Sequence, residues 1–187
     1  MKSLFNNDGL SLTELILAVL LLNVVLMAGL SIELGIRRIF LTTNYEIELL
    51  NEAGPILDWV SRDVNRGIGT SADSPLSTVS LGAGNPTYRV RYDSNANGRV
   101  DAADIWVAYR YINAGGNQYQ LWYYPNASIN SHEVISYKVI AFSVGAVTNG
   151  VSIITLQIRL DPTLAVGLNN PEITLTTRAQ YGSLSLN

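Results

Sequence analysis

The chain has 187 residues, of which 48% are apolar and 14% charged, and its formal net charge is -3. This length fits one compact domain with an appendage, and the composition is rich in apolar and poor in charged residues for a soluble domain. The acidic balance, without a run of Lys and Arg, argues against nucleic acid as a partner. The sequence contains no cysteine, which excludes disulfides, thiolate catalysis and Cys-based zinc sites.

A long apolar run follows a short polar leader. From Leu15 to Ile32 the only polar side chains are Asn23 and Ser31. With its flanks the run covers about 20 residues, enough for a helix to cross the hydrocarbon core of a bilayer. Glu14 at its edge does not prevent insertion, because the Leu, Ile and Val residues together outweigh one acid near the membrane surface. The leader MKSLFNNDG carries one Lys and one Asp, and no clear A-x-A cleavage site follows the run, which argues against a secretory signal peptide; a transmembrane helix is predicted.

The residues at the start of this run resemble the class III signal of type IV pilins. A polar leader ends in Gly9, Leu10 follows, and Glu14 is the fifth residue after the glycine. The resemblance implies that a membrane-embedded prepilin peptidase cuts between Gly9 and Leu10 on the cytoplasmic side, and that the new amino terminus is methylated. Leu10 departs from the family pattern, in which Phe or Met is commoner.

The same resemblance implies an assembly role for Glu14. In the family this acid pairs with the terminal amine of an adjacent subunit and sets the axial register of a helical filament. The pairing is physically reasonable, because a charge in a low-dielectric assembly needs a partner. The alternative is an ordinary signal anchor that happens to carry a Glu at its end.

Residues 33–66 predict an amphipathic continuation of the helix. Their apolar residues recur at helical spacing, with acids and arginines between them. The positions expected on the packing face are Ile47, Leu50, Ile56, Leu57, Val60 and Val64. Gly54 and Pro55 are expected to end, kink or restart the helix, and Gly67 to stop it. The stretch ILDWVSRDVNRGIG resembles the helix end of J-type or W-type minor pilins.

From residue 68 the pattern alternates as in strands, separated by Gly, Asn, Pro and Ser. The predicted strands are residues 78–81, 88–92, 105–112, 119–124, 134–144, 151–160 and 173–181. Two hairpins are expected, one turning at 113–117 and one near Asn149 and Gly150. The predicted fold class is α+β, a long N-terminal helix packed on an antiparallel β head. The expected organisation is a leader (1–9), a transmembrane half-helix (10–32), an amphipathic half-helix (33–66) and an extracytoplasmic β head (67–187).

The segment DSNANGRVDAAD, residues 93–104, matches the D-x-[DN]-x-[DN]-G pattern of an EF-hand calcium loop, with further acids at the ninth and twelfth places. Gly98 permits the sharp bend that such a loop needs. The candidate ligands are Asp93, Asn95, Asn97, the backbone carbonyl of Arg99, Asp101 and Asp104.

A structural Ca²⁺ at this loop is predicted to clamp the strand that ends at Tyr92 to the one that begins at Ile105. The simpler alternative is a polar Asx turn. Only one such loop is found, which argues against a dockerin-like binding module, since dockerins carry two loops with helices.

The sequence contains no recognisable catalytic motif, and the protein is not predicted to be an enzyme. His132 is the only histidine, and no nucleophile elbow, phosphate loop, dinucleotide fingerprint or H-E-x-x-H motif occurs. Seven aromatic residues lie on two neighbouring predicted strands. Alternate aromatics on strands are more often core residues and cross-strand pairs than a sugar-binding or contact surface. The seven residues are Trp106, Tyr109, Tyr111, Tyr119, Trp122, Tyr123 and Tyr124.

The resemblance implies a minor pilin or a minor pseudopilin of a type II secretion system, of the J or W kind. Its expected partners are the prepilin peptidase, other pilins or pseudopilins and the inner membrane, with the head on the periplasmic side. Two alternatives stay open. One is the major pilin of a similar filament, and the other is a membrane-anchored, calcium-binding β module with an adhesive or binding role.

Overall fold

The computed structural model describes residues 11–69, 74–80, 86–113, 119–127, 131–145, 150–181 and 183–184. The chain divides into two compact units, Met1–Leu41 and Thr42–Asn187. One long helix, α1, spans Leu12–Asn65 and therefore contributes to both. In the second unit it packs against antiparallel sheets, which confirms the predicted α+β fold class.

The carboxyl-terminal part of α1 packs through one stripe of side chains spaced one, three or four residues apart, as one face of a helix requires. The buried members are Leu49, Ala53, Ile56, Leu57, Val60 and Val64. Four of the six expected positions are therefore correct. Ile47 and Leu50 were wrongly placed on this face, because they are 48% and 47% exposed. Ile47 lies two residues before Leu49 and therefore on the opposite side of the helix.

The helix continues through Gly54 and Pro55, where the sequence predicted an end, a kink or a restart. Proline lacks an N–H, so the carbonyl of Asn51 receives no bond from residue 55. Gly54, Pro55 and Asn51 are all exposed, which leaves that carbonyl accessible to solvent. Ile56 and Leu57 directly after the proline are buried against the head, and this packing holds the helical path.

The described part of the chain contains ten strands in three sheets. They are β1 Ile68–Gly69, β2 Leu76–Ser80, β3 Pro86–Tyr92, β4 Ile105–Asn113, β5 Tyr119–Tyr124, β6 Glu133–Ser136, β7 Val139–Val144, β8 Val151–Arg159, β9 Glu172–Gln180 and β10 Ser183–Leu184. The five-stranded sheet has the order β2-β3-β4-β5-β6 and the three-stranded sheet β7-β8-β9, both antiparallel. The β1 and β10 segments form a two-residue parallel pair.

Both predicted hairpins are present as antiparallel strand pairs. Asn113 pairs with Tyr119 across β4 and β5, and Val144 pairs with Ile154 across β7 and β8. Gly150 has a φ of 77°, a left-handed conformation that glycine adopts without strain. Residues 114–118 and 146–149, within these two turns, lie outside the described residues.

The single strand predicted at 134–144 is two strands that belong to different sheets. The chain leaves the five-stranded sheet after Ser136 and enters the three-stranded sheet at Val139. Helix α1 holds this crossover, since the Ser136 hydroxyl donates to Glu52 at 2.5 Å and the Lys138 ammonium lies 2.6 Å from Glu48. The buried positions of the two strands, Ser136, Val139, Phe142 and Val144, are not all two residues apart, because the two strands belong to different sheets.

Buried side chains of the helix and of both larger sheets form one core cluster in the second unit. A polar contact is built into it, since the Tyr109 hydroxyl donates to Asp63 Oδ2 at 2.6 Å. Burial raises the pKa of Tyr109, which keeps the phenol protonated and able to donate. Burial also raises the pKa of Asp63, although the hydrogen bond from Tyr109 opposes that effect.

Candidate functional site

The predicted cleavage site lies outside the described residues, which begin at Ser11. Glu14 is fully exposed in the first turn of α1. The Ser11 N–H donates to Glu14 Oε2 at 2.8 Å, and the Glu14 N–H donates to Ser11 Oγ at 3.3 Å. This reciprocal pair is a capping box, which satisfies backbone donors at a helix start.

The capping box gives Glu14 a local role that the sequence analysis missed. The S-x-x-E spacing of Ser11 and Glu14 was visible in the sequence and is the signal that could have revealed it. A Gln at position 14 can fill this local role, whereas pairing with a terminal amine requires the carboxylate charge. The two roles of Glu14 can therefore be separated experimentally.

Every side chain from Ser11 to Leu41 is exposed, and most of them are apolar. By length and composition the helix could span a membrane, and no part of its apolar window is buried. In contact with water this surface would be strongly unfavourable, because each large aliphatic side chain gains about 1.5–3 kcal/mol on burial. The segment therefore requires an apolar environment.

The calcium-like loop connects β3 to β4, as the sequence predicted. Tyr92 and Ile105, the residues on either side of it, form the last pair of the β3–β4 ladder. The loop turns through two residues with positive φ, Ala96 at 54° and Gly98 at 71°. The glycine at the sixth loop position accordingly adopts the conformation for which a glycine is favoured.

The loop brings its predicted side-chain ligands into one hydrogen-bond network. The Asp93 carboxylate accepts from the backbone N–H groups of Asn97 at 3.3 Å and Gly98 at 2.7 Å. The Asp101 Oδ2 atom accepts from the side-chain amides of Asn95 at 3.2 Å and Asn97 at 2.6 Å. These bonds, the one from Asn97 first, lower the pKa of Asp101, so this carboxyl group is ionised at neutral pH.

Asp104 closes the network at the twelfth position. Its Oδ2 atom accepts from the Asp101 N–H at 2.9 Å, while its Oδ1 atom is buried and has no hydrogen-bond partner. A buried acceptor without a donor is the kind of atom that a cation would satisfy. Arg99 is exposed, and its N–H donates to Asn97 Oδ1 at 2.7 Å.

The donor chemistry of the loop fits Ca²⁺, because its side chains offer hard carboxylate and amide oxygens. Its present arrangement differs from a closed coordination shell in two respects. Asn95 and Asn97 direct their NH₂ groups at Asp101, so both amides would have to turn their oxygens inward to bind a cation. Among the described residues, no three His, Cys, Asp or Glu side chains are grouped as a metal site.

The crowded aromatics divide between the two faces of the five-stranded sheet. Tyr109 and Tyr123 lie on the core side, where Trp59 of α1 packs 4.8 Å from Tyr123. Trp106, Trp122 and Tyr124 alternate with the core-facing residues and therefore lie on the opposite side.

Three arginines, which the sequence analysis did not single out, share that opposite side with the aromatics: Arg89, Arg91 and Arg110. The R-x-R spacing of Arg89 and Arg91 in β3 was visible in the sequence. The position of Arg110 next to these two arginines depends on how β3 and β4 pair. His132, the lone histidine, is exposed and stacks on Trp122 with ring centroids 3.8 Å apart. This contact gives His132 a packing role.

No protein-family model matches the chain, and neither a curated protein nor a solved structure matches it.

Proposed function

We propose that the protein is a structural and assembly subunit of a type IV pilus-like filament, a minor pilin or a minor pseudopilin of a type II secretion system. The observation that carries the proposal is the apolar start of α1, whose side chains are all exposed from Ser11 to Leu41. It follows directly on Gly9 and Leu10, and it includes Glu14 at the position of the pilin signal.

In this function the helix anchors the precursor in the inner membrane with its head on the periplasmic side. The prepilin peptidase removes residues 1–9, and the new amine at Leu10 becomes available to a neighbouring subunit. Packing of apolar helices from several subunits then replaces lipid around residues 12–41. The second unit has its own core, so it can remain folded while the apolar segment changes its surroundings.

The decisive experiment is intact mass and amino-terminal sequencing of the full chain, expressed with and without a prepilin peptidase. The expected result is a peptidase-dependent start at Leu10, with or without a methyl group. Gly9→Leu is the matched control and should remain uncut under both conditions. A wild-type chain that keeps Met1 in the presence of active peptidase would overturn the proposal and favour a membrane-anchored β module.

The assembly role of Glu14 is tested with a pair of substitutions. Glu14→Gln preserves the capping box and removes the charge, whereas Glu14→Ala removes both. If the carboxylate pairs with the terminal amine of a neighbour, both variants are processed and both fail to enter filaments. Normal incorporation of Glu14→Gln would show that capping is the whole role of this residue.

Calcium binding by the loop 93–104 is the second element of the proposal. It is supported by the position of the loop between paired strands, the positive φ of Gly98 and the buried, unpartnered Oδ1 atom of Asp104. Residues Asp93, Asn95, Asn97, Asp101 and Asp104, with the carbonyl of Arg99, would hold the ion. Ca²⁺ would supply positive charge to a loop that contains three carboxylates and would tie β3 to β4.

Removing calcium should therefore lower the melting temperature of the head. The expected difference between calcium and chelator is roughly 5–10 °C when free calcium is about 100 times its dissociation constant. Asp104→Asn should abolish most of this difference, whereas Asp161→Asn, in another exposed loop, should preserve it. Equal melting temperatures of the wild type under both conditions would exclude a structural ion.

A further inference from the structure

The loop that joins β8 to β9, residues 160–171, displays apolar side chains on the surface of the head. Leu164, Val166 and Leu168 are 57%, 62% and 65% exposed. Ala165 and Gly167 between them are exposed as well, and no residue from 162 to 171 is charged. A contiguous exposed stretch of apolar residues is a mark of a contact surface.

The backbone of this loop is hydrogen-bonded inwards to one buried side chain, that of Asn170. The Nδ2 atom of this side chain lies 2.9, 3.2 and 3.1 Å from the carbonyl oxygens of Asp161, Leu164 and Ala165, and its Oδ1 atom accepts from the Asp161 N–H at 2.7 Å. The backbone groups of Gly167 and Asn170 also bond to each other in both directions at 3.0 Å. Backbone groups that are already paired enter a poorly hydrated environment at lower cost than unpaired ones.

The base of the loop is fixed by a neutral ion pair. The Arg159 guanidinium donates to Glu172 Oε2 from Nε at 2.9 Å and from Nη2 at 2.5 Å. Its Nη1 donates to the Leu164 carbonyl at 2.9 Å. The positive charge next to the apolar residues is therefore matched by a negative one. Because the loop is held in place, little conformational freedom is lost when a partner covers it.

A contact with α1 fixes where the loop lies in the second unit. The Thr42 hydroxyl donates to the Leu168 carbonyl at 3.1 Å. Thr42 is the first residue of this unit and directly follows Leu41, the last residue of the exposed apolar segment of α1. The loop therefore lies beside the residue at which α1 enters the head.

The length of the exposed segment fits a bilayer that ends near Thr42. Residues 12–41 form about 45 Å of helix, at about 1.5 Å per residue. A bilayer with both headgroup regions is about 40–45 Å thick, of which about 30 Å is hydrocarbon. If the segment is centred on the bilayer, the hydrocarbon covers about residues 17–36. Arg37 and Arg38 then lie among the outer headgroups, and Thr42 lies at their outer edge.

We propose that the loop 160–171 is a second membrane contact, which seats Leu164, Val166 and Leu168 at the boundary of headgroups and acyl chains in the leaflet from which α1 emerges. Aliphatic side chains gain stability at this boundary because they leave water. The absence of charges from 162 to 171 suits a lipid surface, whereas a protein partner is normally oriented by complementary charges. Together with α1, the contact would restrict the tilt and rotation of the head on the membrane.

This inference rests on the membrane anchoring in the proposed function and not on filament assembly. It is tested with spin labels on the full chain, in nanodiscs that each hold one copy. Because the chain contains no cysteine, a single introduced cysteine reports on one position. Leu164→Cys and Val166→Cys test the loop, Leu22→Cys tests the apolar part of α1, and Thr176→Cys tests the exposed side of β9. The readout is the ratio of collision rates with oxygen, which partitions into lipid, and with a water-soluble nickel chelate.

The ratio at Leu164 and Val166 should be several times that at Thr176 and lower than that at Leu22, as expected for labels near the membrane surface. A lipid-like ratio at Leu22 with water-like ratios in the loop would overturn the inference and leave the membrane anchor in place. A water-like ratio at Leu22 would refute the anchor itself, and with it both proposals. Loop labels that are shielded from both reagents would show that protein covers the loop, which also contradicts a lipid contact.

A measurement on the wild type makes the result independent of the substitutions. A phospholipid with a photoreactive diazirine close to its glycerol is included in the nanodiscs, and its adducts are located by mass spectrometry after trypsin digestion. In addition to α1, the peptide 160–178, which contains the loop, should carry adducts. The peptide 111–138, which contains the exposed Tyr137, is the control and should remain unmodified. Adducts confined to α1 would contradict the proposed contact.

Discussion

The two parts of helix α1 share one backbone and differ in what surrounds their side chains. From Leu12 to Leu41 no side chain is buried, although most are apolar. From Thr42 to Asn65, six side chains are buried in the core of the second unit. Helical propensity therefore explains neither part by itself. The second part is stabilised by packing on the head, whereas the first has no packing partner among the described residues and is long and apolar enough to span a membrane.

The sharpest test of this comparison truncates one leucine in each part. Leu49 is fully buried, whereas Leu21 is 59% exposed. Leu49→Ala should lower the free energy of unfolding of the head by about 2–5 kcal/mol, because it removes apolar contacts and leaves a cavity. Leu21→Ala should leave it unchanged.

Urea unfolding in detergent, followed by tryptophan fluorescence, measures this difference, because Trp59, Trp106 and Trp122 all belong to the second unit. Similar losses from the two substitutions would mean that the apolar part of α1 also supports the head, and the contrast between the two parts would fail.

A second prediction concerns the polar contact that α1 makes inside the head. Tyr109→Phe removes the hydroxyl that donates to Asp63, and it should destabilise the head by about 1–2 kcal/mol, since Asp63 then loses a partner in a half-buried position. The same unfolding measurement applies. Tyr137→Phe, at a 65% exposed position, is the control and should be neutral.

A third, smaller effect should have the opposite sign. Proline inside a helix costs about 3 kcal/mol relative to alanine, partly offset by the freedom that it removes from the unfolded chain. Pro55→Ala should therefore stabilise the head by about 1–2 kcal/mol, through a new bond from residue 55 to the Asn51 carbonyl.

Gly54→Ala is the companion variant to Pro55→Ala. A Cβ at position 54 would meet no atom within 4 Å, so alanine should fit and add about 1 kcal/mol. Destabilisation by Pro55→Ala would show instead that the packing of α1 requires a proline-dependent bend.

The sequence predicted those parts of the fold that depend on local pattern. Strand bounds such as Ile105 and Tyr124 followed from alternation, and the loop 93–104 was placed correctly between two paired strands. An interruption of the helix at Pro55 was wrongly predicted, because burial of the neighbouring Ile56 and Leu57 outweighs the tendency of proline to break a helix. The division after Ser136 was missed because its cause, the contacts with Glu48 and Glu52, lies far away in the sequence.

The candidate sites likewise divide into one that local sequence predicts and one that depends on the pairing of distant strands. The calcium-like loop is contiguous, so its ligands could be named from spacing alone, although the orientation of the Asn95 and Asn97 amides could not. The group of arginines and aromatic rings on the outer face of the five-stranded sheet is assembled from strands whose register the sequence does not specify. Arg89 and Arg110 are brought to either side of Ala108 only by the pairing of β3 with β4.

The smallest predicted effect contrasts one acid in each part of α1. Burial raises the pKa of Asp63 above its ordinary value of 3.8, whereas Glu33 is exposed beside Arg37. A carboxyl group with a raised pKa in the folded state stabilises the fold fully only below its unfolded pKa, and this contribution is lost as the pH rises through the folded pKa. Asp63→Asn should remove this dependence, because a neutral amide can still accept from Tyr109.

Relative to Asp63→Asn, the wild type should therefore lose stability as the pH rises from below 3.8 towards neutrality. The measurement is urea unfolding at a series of pH values, with Glu33→Gln as the control that leaves the profile of the wild type unchanged. Parallel profiles for Asp63→Asn and the wild type would mean that the Tyr109 bond compensates the burial of the carboxylate. In that case Asp63, in the second part of α1, would contribute no more to the pH dependence of stability than the exposed Glu33 in the first part.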